Sequence, residues 1–269
     1  MIQSRRNLLI LVLFFVFVTL LFSGLLDSLK KSLIKVGQID SKSGGECSHQ
    51  ADALVDMSVR LANAMKQIGQ LECQRSADGS VALRGGWCAG YSANTSVEHK
   101  FDASLAAALS TFLAEKRVAS FGDGPGLYKR ELLKRGQVAL YDAFDGAPFI
   151  ESSVESNLVR FLDLSVPIYH LSKYDWIVSL EVAEHIPSEF EAIYVDNIKR
   201  HALEGIIISW AVKGQTGFSH INEQSNDYVI SLFQAGGLFT YNHADSKFLR
   251  QNSTYWWFKN NIMVFDRLT

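Results

Sequence analysis

The chain has 269 residues, 48% of them apolar and 20% charged, with a formal charge of −2. That length fits one domain with appendages, the apolar share excludes a disordered chain, and only 4 prolines with no repeating glycine exclude collagen-like and low-complexity classes. Residues 1–36 carry five basic groups against Asp27, net +4, so the remainder nets −6, and a mildly acidic body lacks the clustered Lys and Arg that a nucleic-acid partner demands.

From Leu8 to Leu26, 16 of 19 residues are apolar and none is charged. As a helix this stretch spans about 28 Å, close to the hydrocarbon core of a bilayer. A cleaved signal peptide has a shorter apolar region of about 7–15 residues, although Phe22-Ser23-Gly24 keeps cleavage open as an alternative. Phe14-Phe15-Val16-Phe17 offers no polar face to a soluble helix. The expectation is one N-terminal transmembrane helix, with residues 1–28 as cytoplasmic tip and signal anchor. Arg5 and Arg6 before it nearly balance Lys30, Lys31 and Lys35 after it, and the N-terminal amine makes up the difference. Asn94-Thr95-Ser96 and Asn252-Ser253-Thr254 are glycosylation acceptor sequences. Together these favour a type II, single-pass glycoprotein with its body in the endoplasmic reticulum or Golgi lumen.

Residues 29–100 read as a stem and an N-terminal extension. Residues 37–50 are rich in Gly, Ser and polar groups, as a short stem would be. Leu54, Met57, Leu61, Met65 and Ile68 recur at three and four residues, which predicts an amphipathic helix over 51–69 packed on the body. Cys47, Cys73 and Cys88 are the only cysteines. A Cys73–Cys88 bridge would close a loop of about 15 residues and stabilise by about 3 kcal/mol. Three buried cysteines acting as small hydrophobes is the other reading. Trp87 is the expected anchor of the turn-rich segment 76–100.

The body, residues 101–269, opens with an Ala-rich helix from Asp102 to Ala114. β-type runs then follow at 117–121, 137–141, 174–180, 205–210 and 258–265, alternating with helical stretches at 126–135, 188–202 and 223–235. Ile206-Ile207-Ile208 and Trp176-Ile177-Val178 are continuous apolar runs, as strands covered on both faces should be. This alternation predicts an α/β domain with a mostly parallel sheet.

Val118-Ala119-Ser120-Phe121 runs into Gly122-Asp123-Gly124-Pro125-Gly126, where a helix begins. Such a turn lets a ligand approach the backbone near a helix N-terminus. Leu127 stands where a dinucleotide fingerprint wants its third glycine, which argues against a nicotinamide-dependent oxidoreductase, and no Gly-Lys-Ser/Thr phosphate loop is present. Asp142, twenty residues after Gly122, closes the expected second strand and could accept both hydroxyls of a ribose. Asp163 follows the expected third strand, where a polar side chain could meet an adenine edge.

These residues, with Tyr174-Asp175-Trp176-Ile177-Val178-Ser179-Leu180-Glu181-Val182-Ala183-Glu184-His185-Ile186-Pro187, resemble the class I S-adenosylmethionine-dependent methyltransferases over about residues 102–269. The resemblance implies a Rossmann-like seven-stranded sheet with a reversed last strand and S-adenosyl-L-methionine across the first four strand ends. It places Gly122, Gly124 and Gly126 under the methionine and ribose, Asp142 on the ribose, Asp163 on the adenine and Glu181 at the methionine end. This chain has Ser120 where the family usually has an acid two residues before the first glycine, and Asp123 is the residue placed to compensate.

The segment Ser209–Asn222 follows the fifth strand, where the resembled family builds its substrate pocket, and Gln215, His220 and Asn222 could point inward. A hydroxyl acceptor benefits from a base near neutral pKa, for which His220 and His185 are the candidates, with Glu184 beside them and His99 placed to close over the pocket. No Cys or His spacing suggests a metal site. The expected activity is methyl transfer from S-adenosylmethionine to a small molecule or glycan, with oxygen favoured over nitrogen. A non-catalytic binding protein on the same fold is the alternative that Ser120 feeds. The oligomeric state stays open.

Overall fold

The computed structural model describes residues 44–75, 81–88, 100–154 and 158–268. The expected anchor Leu8–Leu26, the sequon at Asn94, His99 and the side chain of Cys47 lie outside the described residues. Among the described residues, no helix is long and apolar enough to cross a membrane. Residues Ala53–Thr269 form one compact unit.

The chain begins with α1 (Gly44–Arg75), then α2 (Ala103–Phe112), β1 (Arg117–Phe121), α3 (Leu127–Arg135) and β2 (Leu140–Asp145). A short α4 (Ile150–Ser153) precedes β3 (Arg160–Phe161) and β4 (Tyr174–Leu180). Two 3₁₀ turns, Ala183–His185 and Ser188–Phe190, lead into α5 (Glu191–His201) and β5 (Ala202–Ser209). The chain ends with α6 (Asn226–Gln234), β6 (Phe239–Tyr241), α7 (His243–Gln251), α8 (Trp256–Asn261) and β7 (Met263–Arg267). The seven strands form one sheet ordered β3-β2-β1-β4-β5-β7-β6. Every pairing is parallel except those of β7, which runs antiparallel to both β5 and β6. The reversed last strand agrees with the expected architecture.

The continuous apolar runs are explained by two cores, one on each face. Ala119, Phe121, Ile177, Ile206 and Ile208 pack against Tyr194 and Ile198 of α5 and Phe233 of α6. The alternate residues Val118, Trp176, Val178 and Ile207 pack against Leu105 and Leu109 of α2, Leu249 of α7 and Phe258 of α8. Successive side chains leave a strand on opposite faces, so a strand buried on both sides is mostly apolar, and a polar residue such as Ser179 needs a buried partner, here the Phe121 carbonyl.

Two sequence expectations need correction. The second strand starts at Leu140 rather than at 137, because residues 137–139 still belong to the connection from α3, with Ala139 N–H bonded to the Lys116 carbonyl. Its carboxyl end is therefore Asp145, not Asp142. The run expected as a strand at 258–265 divides into the end of α8 and most of β7. Asp102 is responsible in part. Its carboxylate caps α2 at the amides of Ser104 and Leu105, and its second oxygen takes the amides of Thr254 and Tyr255, fixing the chain just before α8. Helix α7 and strand β6 lie where no element was expected.

Cys73 and Cys88 are joined in a disulfide, Cα to Cα 5.5 Å. It ties the end of α1 to the segment 81–88. Both elements lie on the sheet's carboxyl edge, where Gly69 packs on Pro148 and Gly86 on the Gly146 carbonyl.

Candidate functional site

A cavity of about 640 Å³ opens at the carboxyl ends of β1, β2 and β4. Its floor is the turn after β1. Gly122 has φ 91°, and a Cβ there would stand 2.3 Å from Val182 Cγ2, so only glycine lets the turn pass under the loop after β4. The amides of Gly122 and Asp123 both donate to the Phe144 carbonyl, which pins the turn to β2. Gly122 and Gly124 line the cavity; Gly126 instead caps α3 and packs against Leu158 and Val159.

Asp123 turns inward. Its oxygens accept from the Lys129 amide (3.3 Å) and the Tyr141 hydroxyl (3.4 Å), and Ser120 is a third partner. Burial pushes its carboxyl up to about 6, against the Ser120 and Lys129 hydrogen bonds. A carboxylate thus lies in the cavity wall beside Ser120, which is itself buried.

Asp142 is not at the cavity. It accepts from the Tyr174 hydroxyl at 2.8 Å and pairs with Arg160 at 3.3 Å, so its expected ribose role is withdrawn. The acid at the strand end is Asp145, which lines the cavity and accepts from the amides of Gly124 and Ala147, both at 2.9 Å. The misplaced strand start hid it. Asp163 does line the cavity, its Oδ1 held by the amide and hydroxyl of Ser165.

Glu181 follows β4 at φ 54°, with its amide on the Ser209 hydroxyl. Gln215 donates to its Oε2 at 2.6 Å and is itself held by Asn261. Its Oε1 is buried without a hydrogen-bond partner, and burial raises its pKa against the bonds from Ser209 and Gln215.

Glu184, His185 and His220 meet at the far wall. His185 and His220 line the cavity, their rings 5.0 Å apart, while Glu184 lies fully buried behind them rather than in the cavity. Neither Glu184 oxygen has a hydrogen-bond partner; its own amide and that of Ala211 approach closely enough to lower its pKa, but burial and Glu181 raise it well above the usual range. Burial, with His220 adding to it, pushes His185 down to about 4, so this imidazole is neutral. The loop carrying His220 winds around Glu223, which accepts from the amides of Gly214 and Thr216 and from His220 Nδ1 at 3.1 Å. All three are residues named as candidates from the sequence; spacing did not announce that they meet, because residue 220 reaches the other two only through the loop's fold. Asn222 points away from the cavity, donating to Glu191.

No protein-family model matches the sequence, and no curated protein matches it. Among solved structures, the chain is similar to the magnesium protoporphyrin IX methyltransferase of Synechocystis, with 17% identity, 61% of this chain and 74% of that one covered, and a TM-score of 0.41. The N-methyltransferase NodS of Bradyrhizobium japonicum is 12% identical over 61% of this chain and 91% of that one, with a TM-score of 0.41. The sugar N-methyltransferase KedS8 of a Streptoalloteichus species is 10% identical over 62% and 88%, with a TM-score of 0.48.

Proposed function

We propose that the chain is an S-adenosylmethionine-dependent methyltransferase whose acceptor is an oxygen of a small molecule or a glycan. One observation carries this reading. A glycine turn and three carboxylates, Asp123, Asp145 and Asp163, converge on one cavity at the carboxyl edge of a seven-stranded sheet with a reversed last strand. The residues fit the cofactor. Gly122 leaves the floor bare, Asp145 stands at the β2 end for ribose hydroxyls, Asp163 for an adenine edge, and Asp123 with Glu181 for the cationic methionine end.

When bound, the cofactor supplies a methyl group on a sulfonium with its leaving group built in. The chain's own contribution is then alignment and exclusion of water. Met65, Ile68 and Trp87 cover the cavity from the α1 side. The acceptor's proton goes to the far wall. His220 Nδ1 faces a carboxylate, which only accepts, so Nδ1 carries the proton and Nε2 keeps a lone pair. The reading of a non-catalytic protein drew on Ser120, and the Asp123 carboxylate beside it weakens that ground.

Calorimetric titration with S-adenosylmethionine and with NAD tests the reading. Saturable binding of the first alone supports it; binding of NAD alone, or of neither at millimolar concentration, overturns it. Binding without methyl transfer to any of a panel of hydroxylated acceptors leaves the binding protein. We also propose that Leu8–Leu26 anchors the chain with its body in the lumen. The Cys73–Cys88 bridge supports an oxidising compartment. A mobility shift on endoglycosidase digestion is the expected result, and digestion of the body by protease added outside intact microsomes would refute it.

A further inference from the structure

We infer that Glu184, His185 and His220 form a site for one divalent first-row transition cation in the inner wall of the cavity. One ligand atom from each lies within 4.8 Å of the others. Donors sharing an ion at about 2.0–2.2 Å stand about 3–4 Å apart, so side-chain adjustments of an ångström or less close the site.

Two independent features point the same way. The first is Glu184. It is 0% exposed and neither oxygen has a hydrogen-bond partner, so its carboxyl must either hold a proton or give that proton up to pair with a cation. Its position is not accidental slack, since its backbone carbonyl accepts the amides of Ile221 and Asn222 and so locks the His220 loop to it.

The second is the orientation of the imidazoles. His185 Nδ1 lies 3.3 Å from the Ser219 carbonyl, and His220 Nδ1 lies 3.1 Å from Glu223 Oε1. Both partners only accept, so both Nδ1 atoms carry the proton and both Nε2 atoms keep the lone pair a metal needs. A ligating histidine held from behind by a carboxylate or carbonyl is the common second layer of metal sites. His220 Nε2 is the atom facing Glu184, at 4.0 Å.

Gly217 packs on the face of the His220 ring, where a Cβ would stand 2.2 Å from Nε2, 2.4 Å from Cε1 and 2.7 Å from Cδ2, so only glycine lets the loop seat this imidazole. Glu181, whose Oε1 is buried without a hydrogen-bond partner, lies close enough to raise the Glu184 pKa.

Two imidazoles with a carboxylate select Mn²⁺, Fe²⁺, Co²⁺ or Zn²⁺ over Ca²⁺, which prefers an all-oxygen shell. His185 and His220 line the cavity, so the ion's open positions face it. There it would bind an acceptor oxygen and lower its pKa, taking over the base's work; this consequence rests on the methyltransferase reading, whereas the site itself does not.

The test is calorimetric titration of the chelator-stripped full chain with Mn²⁺ and with Zn²⁺, without cofactor or acceptor. The expected result is saturation at one ion per chain and a raised unfolding midpoint. Glu184→Gln and His220→Ala should each weaken binding by about tenfold or more. His220 sits on a loop, so its variant reads the site even if Glu184→Gln fails to fold; circular dichroism of the metal-free variants checks this. No saturable binding of either ion at millimolar concentration, or wild-type affinity in His220→Ala, overturns the site. Metal binding without S-adenosylmethionine binding would leave the site standing and sink the proposed function, so the two failures are distinguishable.

Discussion

Asp123→Asn gives the sharpest reading of the cavity's cationic end. In the folded chain the Asp123 carboxyl is pushed from 3.8 to about 6, chiefly by burial. At about 1.4 kcal/mol per pH unit, that is about 3 kcal/mol. The sign follows from the direction of the shift. The folded state prefers the protonated acid, so below the unfolded value of 3.8 the group adds its full share of stability. That share is lost as pH rises towards 6, and above 6 the fold holds an ionised, buried carboxylate at a cost of up to about 3 kcal/mol. A bound ammonium or sulfonium reverses the balance, because it needs the ionised form.

At pH 7 the group is about nine-tenths ionised and at pH 5 about one-tenth, so affinity for S-adenosylmethionine should fall roughly tenfold between them. Asp123→Asn should remove that slope and stabilise the ligand-free chain at pH 7. Calorimetry on both proteins across pH 5–7.5, with unfolding midpoints alongside, separates the residue from any titration of the ligand itself. A slope that persists in Asp123→Asn, or a flat wild type, refutes the assignment.

Asp145→Ala removes the strand-end acid and should weaken S-adenosylhomocysteine binding by about a hundredfold, for two charge-assisted hydrogen bonds of about 1.5–3 kcal/mol each, less partial rescue by water. Asp142→Ala should change affinity less than about threefold, since Asp142 is engaged with Tyr174 and Arg160; the reverse ranking in calorimetry would return the ribose to Asp142. Gly122→Ala drives a methyl into Val182 and should cost about 1–3 kcal/mol in urea unfolding, with Val182→Ala recovering part of it. Full stability in Gly122→Ala would mean the turn passes elsewhere. Cys73→Ser should lose about 3 kcal/mol, and reductant should lower the wild type to match; insensitivity to reductant would mean the bridge is absent.

Strands β1 and β4 were legible to the residue, because short runs rich in β-branched and aromatic residues end in turn chemistry, Gly122 after β1 and the Glu181 turn after β4. The glycine turn was legible for the same local reason. What failed was anything set by distant partners. Asp102 fixes the approach to α8 from 152 residues away, so the run from Phe258 to Phe265, read locally, looked like one strand. Asp145 was passed over because a start misjudged by three residues moved the strand's end to Asp142, and no local signal marks where a parallel strand stops. Glu184, His185 and His220 were each legible as candidates, but their meeting needed a loop folded around Glu223, whose role is visible only once Gly214, Thr216 and His220 all point at it.

The cover of the cavity ties the site to the compartment. Met65, Ile68, Gly69 and Glu72 of α1 and the 81–88 segment form one wall, although neither belongs to the sheet. Their seat on the body combines buried side chains, Met65, Ala82 and Cys88, with close packing at glycines: a side chain at Gly69 would strike Pro148 at 2.6 Å, one at Gly86 the Gly146 carbonyl at 2.2 Å, and one at Gly85 the His185 carbonyl at 2.3 Å. The Cys73–Cys88 bridge holds the two pieces as one unit. The last of those contacts touches the backbone of a cluster residue, so the cover and the far wall are mechanically joined. Reduction would therefore loosen the cavity on two sides at once, while leaving both sheet cores intact.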